Sequence, residues 1–180
     1  HKSMIEKIRY VFQNEALCFE AVTHRSAIET QGGRAIEKQF GVKFSWNERL
    51  EFLGDSVLSL VISSALWRQE LLSDEGKLSR LRSQLVNEGM LAKLAKELGL
   101  NECLALGKGE KSSGGSEKDS ILADSLEALF GAIYLDSSFS RAESLILVLF
   151  EPFLSRIKVD DFASCDYKSR LQELMQERYK

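Results

Sequence analysis

The sequence predicts an all-α fold, and three observations carry that prediction. Apolar residues recur at helical spacing over long stretches, no segment alternates with the period of a strand, and the 180 residues include a single proline. With 44% hydrophobic residues, a chain of this length suits one compact domain with a substantial core and a short appendage. No internal repeat is present.

The elements follow in order. Ile5, Ile8, Tyr10, Val11 and Phe12, then Ala16, Leu17, Phe19, Ala21 and Val22, predict two short helices. Glu29 to Trp46, with paired glycines and mixed charge, reads as a loop holding one helical turn. From Asn47 to Leu71 or Leu72 the chain is apolar nearly all round, which predicts a central helix buried on most sides. The next helix has Ser73 or Asp74 as its N-cap and ends near Gly99, with Leu78, Leu81, Leu85, Leu91, Leu94 and Leu98 on its apolar face. Gly107 to Glu117 reads as a flexible loop. Two more apolar helices follow, the second ended or interrupted near Pro152. The tail places Tyr167, Leu171, Leu174 and Met175 on one face with no later helix to cover them.

Composition narrows the function. Apolar runs such as Leu145 to Phe150 are too short to cross a bilayer and no leader opens the chain, so it reads as soluble and intracellular. Cys18, Cys103 and Cys165 are scattered and odd in number, as reduced thiols are, and His24 is the only internal histidine available to activate one. A net charge of −3 opposes nucleic-acid binding overall. Phosphate binding is local, however, and a divalent cation held by clustered acids reverses the sign where it matters.

Such clusters exist. In "NERLEFLGDS", Glu48, Glu51 and Asp55 stand at i, i+3 and i+7 on one side of an otherwise apolar helix; in "ILADSLEALFGAIYLD", Asp124 and Glu127 stand at i and i+3. Any one acid is most simply an ion-paired or solvated residue, but two acid pairs in the two most apolar helices require a joint explanation. If the helices pack side by side, four carboxylates converge as hard oxygen ligands for Mg²⁺ or Mn²⁺. A di-iron bundle is excluded because no Glu-x-x-His pair is present. A magnesium site made of carboxylates completes its coordination with water and substrate phosphate, which implies phosphodiester hydrolysis without a side-chain nucleophile.

These motifs resemble those of bacterial ribonuclease III, in its endonuclease domain. "ERLEFLGDS" is similar to the family's nine-residue motif, "GKGE" with "ILADSLEALFGAIYLD" to its second block, "VTHRSA" to its "LTHRSA", and "DEGKLSRLRSQLVN" falls at the expected place. "DYKSRLQELMQ" is similar to the opening helix of a double-stranded RNA-binding domain. His1 before "KSM" makes residues 1–4 read as a tag remnant and N-terminus; the resemblance implies 5–158 as the endonuclease domain, 159–165 as a linker and 166–180 as the first helix of a truncated RNA-binding domain. It implies a cytoplasmic homodimer that binds double-stranded RNA without a membrane or a nucleotide cofactor. It implies further that each strand would be cut once, to 5′-phosphate and 3′-hydroxyl ends with a short 3′ overhang, in RNA processing and maturation. Glu51, Asp55, Asp124 and Glu127 match the metal-binding acids, Asp55 and Glu127 the catalytic ones, and Glu48 and Glu75 further acids near the dimer cleft. Phe52 matches an aromatic knob inserted into the partner subunit. The alternative on the same fold is a non-catalytic dimeric RNA-binding or scaffolding protein, which the retained carboxylates disfavour.

Two departures from the family stand out: Glu29 to Trp46 is longer than the usual link, and Ser116, Glu117 and Lys118 follow "SSGG" where basic residues are common. Lys77, Arg80 and Arg82 read as a solvated ion-paired face beside Glu75 and Glu88, with contact to RNA phosphates as the alternative, His24 reads as a hydrogen-bonded structural residue, and Trp46 and Trp67 as packing residues.

Overall fold

The computed structural model describes residues 7–28, 45–69 and 74–157. The expected tag remnant, residues 29–44 of the long loop, the linker and the tail helix lie outside the described residues. Those described form helices α1 (Glu15–Ala21), α2 (Arg25–Ile28), α3 (Glu48–Trp67), α4 (Glu75–Leu85), α5 (Glu88–Leu98), α6 (Lys108–Ser112), α7 (Asp119–Asp136) and α8 (Phe139–Leu154). No strand occurs among them. The one extended pairing is a parallel bridge between Thr23 and Ala105, so the predicted all-α class holds.

The core is built around α7, whose Leu122, Leu126, Leu129, Phe130 and Ile133 are fully buried. It packs against α3, α5, α8 and α1. Its contact with α3 is backbone to backbone: a Cβ on Gly54 would overlap the carbonyl oxygen of Glu127, and one on Gly131 would overlap that of Leu50. Glycine weakens an isolated helix, so two facing glycines inside apolar helices mark a required close approach. That crossing brings the two acidic motifs together.

At the far end of α7, Asp136 ties down the N-terminal segment. Its carboxylate accepts from Tyr10 Oη at 2.7 Å and from the backbone N–H groups of Gln13 and Asn14, each at 2.8 Å. Partial burial raises its pKa, but the hydrogen bonds from Tyr10, Asn14 and Gln13 outweigh this and leave it below the usual carboxylate value.

Four expectations are corrected. The helix expected from Ser73 or Asp74 to Gly99 is two helices: Asp74 caps α4, while Asn87 caps α5 by accepting from the Met90 N–H at 2.9 Å, which turns the chain at Val86 and Asn87. Gly107 to Glu117 is structured, holding α6 and a 3₁₀ turn at Gly115–Glu117. Lys118 pairs with Glu110 at 2.6 Å and Asn101 donates to Glu117 at 3.0 Å, ordering a stretch whose glycines and serines alone suggest flexibility. The central helix is not buried on most sides, because Phe52 (78% exposed), Leu60 (55%) and Trp67 (76%) form an outward apolar stripe; Trp67 is therefore not a packing residue of this chain. Finally, 20-residue α3 is long and apolar enough to span a bilayer, with a mean hydropathy of 1.4 over its best window. It carries Glu48, Glu51 and Asp55 in its first half and packs against α7, as a core helix does.

Candidate active site

Glu51 on α3 and Asp124 and Glu127 on α7 converge, each offering a carboxylate oxygen within 4.8 Å of the others. All three are partly buried, and among the described residues no Lys or Arg pairs with any of them. Uncompensated acids repel one another and resist ionisation. Burial, then the charges of Asp55, Glu51 and Asp124, push Glu127 from 4.5 up to about 7. Burial, then Asp124, Glu48 and Asp55, raise Glu51. Asp124 is raised by burial and by Glu88 and Glu48, with His24 acting in the opposite direction.

This arrangement has a measurable consequence. Folded Glu127 holds its proton more tightly than the unfolded chain does, so metal-free protein should lose stability as pH rises from 4.5 through about 7 and level off above that. The expected loss is about 1–2 kcal/mol, allowing for the water that screens a partly exposed carboxylate. Urea denaturation in EDTA at pH 5 and pH 8 measures it, and Glu127→Gln should flatten most of the slope.

The other expected acids lie apart from the triad. Asp55 is exposed, with Ser59 Oγ 3.4 Å from its Oδ1, although its charge reaches Glu51 and Glu127. Glu48 is exposed in the first turn of α3 and pairs with Arg25 at 3.7 Å, the ordinary surface arrangement for a lone acid. Glu75, exposed at the start of α4, accepts from Ser79 Oγ at 2.7 Å. The ion-paired face expected for Lys77, Arg80 and Arg82 does not form among the described residues; Arg82 donates to Ser63 Oγ at 3.1 Å instead. His24 is hydrogen-bonded as expected, its Nδ1 lying 2.8 Å from Ser26 Oγ, which in turn accepts from the Gly107 N–H at 2.9 Å. Sequence reasoning overlooked His24 and Glu88 as electrostatic neighbours of Asp124, and no spacing signal joins these three segments.

The donor set fits a hard divalent cation: three carboxylates from two helices, with no sulfur or imidazole ligand and no Lys or Arg pairing with them among the described residues. Comparison with known proteins places the geometry in context. The family model for ribonuclease-III-like proteins matches residues 14–152. The chain belongs to the ribonuclease-III-like family. Among curated relatives of this family, ribonuclease 3 of Methylococcus capsulatus is 47% identical over 178 residues, covering 99% of this chain and 70% of that protein. Ribonuclease 3 of Nitrosomonas eutropha is 43% identical over 173 residues, covering 96% of this chain and 64% of the relative. The ribonuclease III nuclease domain of Campylobacter jejuni superposes with a TM-score of 0.74 at 38% identity, covering 87% of this chain and 97% of that one. A second structure of that domain, with a TM-score of 0.73 at 38% identity, covers 84% of this chain and 96% of that one; it concerns flexibility in a region involved in dimer formation.

Proposed function

We propose that the chain carries the nuclease domain of a ribonuclease III that cleaves double-stranded RNA with a bound divalent cation. Mg²⁺ is the expected metal, with Mn²⁺ able to substitute. Family membership and identities of 43–47% to ribonucleases 3 make the chain an endoribonuclease. The observation that carries the metal is the partly buried triad of Glu51, Asp124 and Glu127, with which no Lys or Arg pairs among the described residues. When bound, the cation would lower the pKa of water and neutralise charge on the scissile phosphate.

The chain's own residues do the rest. Glu51, Asp124 and Glu127 would hold and orient the cation, and Asp55, one turn beyond Glu51, would add negative charge that reaches Glu51 and Glu127. On the resemblance to the family's motifs, Glu127 is the residue most closely tied to catalysis, with Asp55 second. Glu48 and Glu75 serve as accessory acids beside the cleft. The products are 5′-phosphate and 3′-hydroxyl ends with short 3′ overhangs, and the role is cytoplasmic RNA processing and maturation. Incubating the chain with a long RNA duplex and Mg²⁺ and analysing the ends tests this reading; an intact duplex contradicts it.

The enzyme works as a homodimer in this reading. The stripe of Phe52, Leu60 and Trp67 on α3 is supporting, because exposed aromatic and aliphatic side chains aligned on one helix face suit burial against a second copy. Phe52→Ala should therefore weaken the dimer by roughly 3–5 kcal/mol per Phe52 site if each behaves as a buried aromatic truncation. The same change should leave monomer stability within about 0.5 kcal/mol, because Phe52 is exposed in the single chain. Sedimentation equilibrium measures the first effect and urea denaturation of the dissociated variant the second. A wild type that is monomeric at micromolar concentration contradicts the dimer.

A further inference from the structure

Two polar side chains are fully enclosed among the described residues, Asn47 (2% exposed) and Ser125 (0%). They face each other across the helix crossing, with Asn47 Nδ2 3.5 Å from Ser125 Oγ. Asparagine before a helix ordinarily turns its side chain back to cap the first turn. Asn14 and Asn87 do so, accepting from the N–H groups of Ala16 and Met90. Asn47 occupies the same position before α3 and makes no side-chain cap; its amide points inward to α7 instead.

The position of this contact is informative. Ser125 lies between Asp124 and Glu127, while the Asn47 carbonyl accepts from the Glu51 N–H at 2.8 Å. The Asn47 N–H donates to the Thr23 carbonyl at 3.0 Å, so the ends of the 24–46 stretch meet here. We propose that Asn47, through Ser125, is a positioning residue that sets the rotation of the first turn of α3 against α7 and thereby brings Glu51 to Asp124 and Glu127. The Gly54 and Gly131 contact sets how closely the helices approach and which faces meet one turn further along; the Asn47–Ser125 pair adds a second contact at the first turn of α3, beside Glu51. At 3.5 Å the hydrogen bond is weak, yet it is enclosed. Rotating α3 away would separate a buried amide from a buried hydroxyl and cost each its partner. This inference rests on the cation reading above.

Mn²⁺ binding by calorimetry and crystal structures of the variants test it. Asn47→Leu, similar in volume, and Ser125→Ala, which removes a single heavy atom, should each weaken Mn²⁺ affinity about 10- to 100-fold, as loss of an outer partner of a metal ligand does. Ser125→Thr keeps the hydroxyl and should bind as wild type does. A purely structural role would lower the melting temperature and leave affinity unchanged, and that result in folded Ser125→Ala overturns the proposal even if Asn47→Leu fails to fold. If wild type takes up no Mn²⁺, the cation reading falls and the crystal structure of Ser125→Ala decides this inference alone. A Glu51 carboxylate displaced from Asp124 and Glu127 supports it; one still within 4.8 Å of both overturns it.

Discussion

Glu127→Gln is expected to slow cleavage of a long RNA duplex by more than about a hundredfold at saturating Mg²⁺ while duplex binding persists. The substitution is nearly isosteric, so it removes a charge and little else. Glu127 is the residue on which the site's electrostatics converge, raised to about 7 by burial and by Asp55, Glu51 and Asp124. A lost outer partner of a ligand typically costs 10- to 100-fold, so a lost ligand should cost more. Single-turnover cleavage alongside filter binding separates the two effects, and near-normal turnover would sink the assignment of Glu127.

Gly54→Ala should destabilise the domain by more than about 3 kcal/mol, the upper range for overpacking in a core. The added methyl has no space, because it overlaps the Glu127 carbonyl and crowds the backbone at Gly131, neither of which can swing aside as a side-chain tip can. The helices must part, which also separates Glu51 from Asp124 and Glu127. Gly109→Ala is the control: nothing lies within 4 Å of its added Cβ, so the change should be neutral or stabilise by up to about 1 kcal/mol. Chemical denaturation of the two variants gives the comparison, and equal effects would remove the close-crossing explanation of the site.

Much of this architecture is readable in the sequence because hydrophobic period and acid placement are local properties. Glu51, Asp124 and Glu127 are recognisable as acids that apolar helices do not tolerate without a reason, and they converge. Asp55 is less well placed by spacing alone. Four residues beyond Glu51 it has turned about 40° further around the helix, enough to face solvent instead of α7. The outward stripe on α3 misleads for a related reason: an all-round apolar helix reads as buried, and nothing in one chain's period says which face its own fold leaves uncovered. The break at Asn87 was available as a cap signal but masked by leucines that keep helical spacing across it. Gly54 and Gly131, like Asn47 and Ser125, matter through contacts between distant segments. Their only sequence trace is a helix-weakening glycine inside each apolar helix and an asparagine at a helix start.

Thermal melting across a Mg²⁺ series at constant ionic strength, with EDTA as the reference, tests whether the three carboxylates share a cation. A metal that binds the folded site and not the unfolded chain should stabilise wild type by about 2.7 kcal/mol at a hundredfold excess over its dissociation constant. Asp124→Asn should relieve repulsion, melt no lower than wild type in EDTA, and respond weakly to Mg²⁺. A wild type whose melting temperature ignores Mg²⁺, or an Asp124→Asn variant that shifts as much as wild type, would show that these acids form no shared cation site.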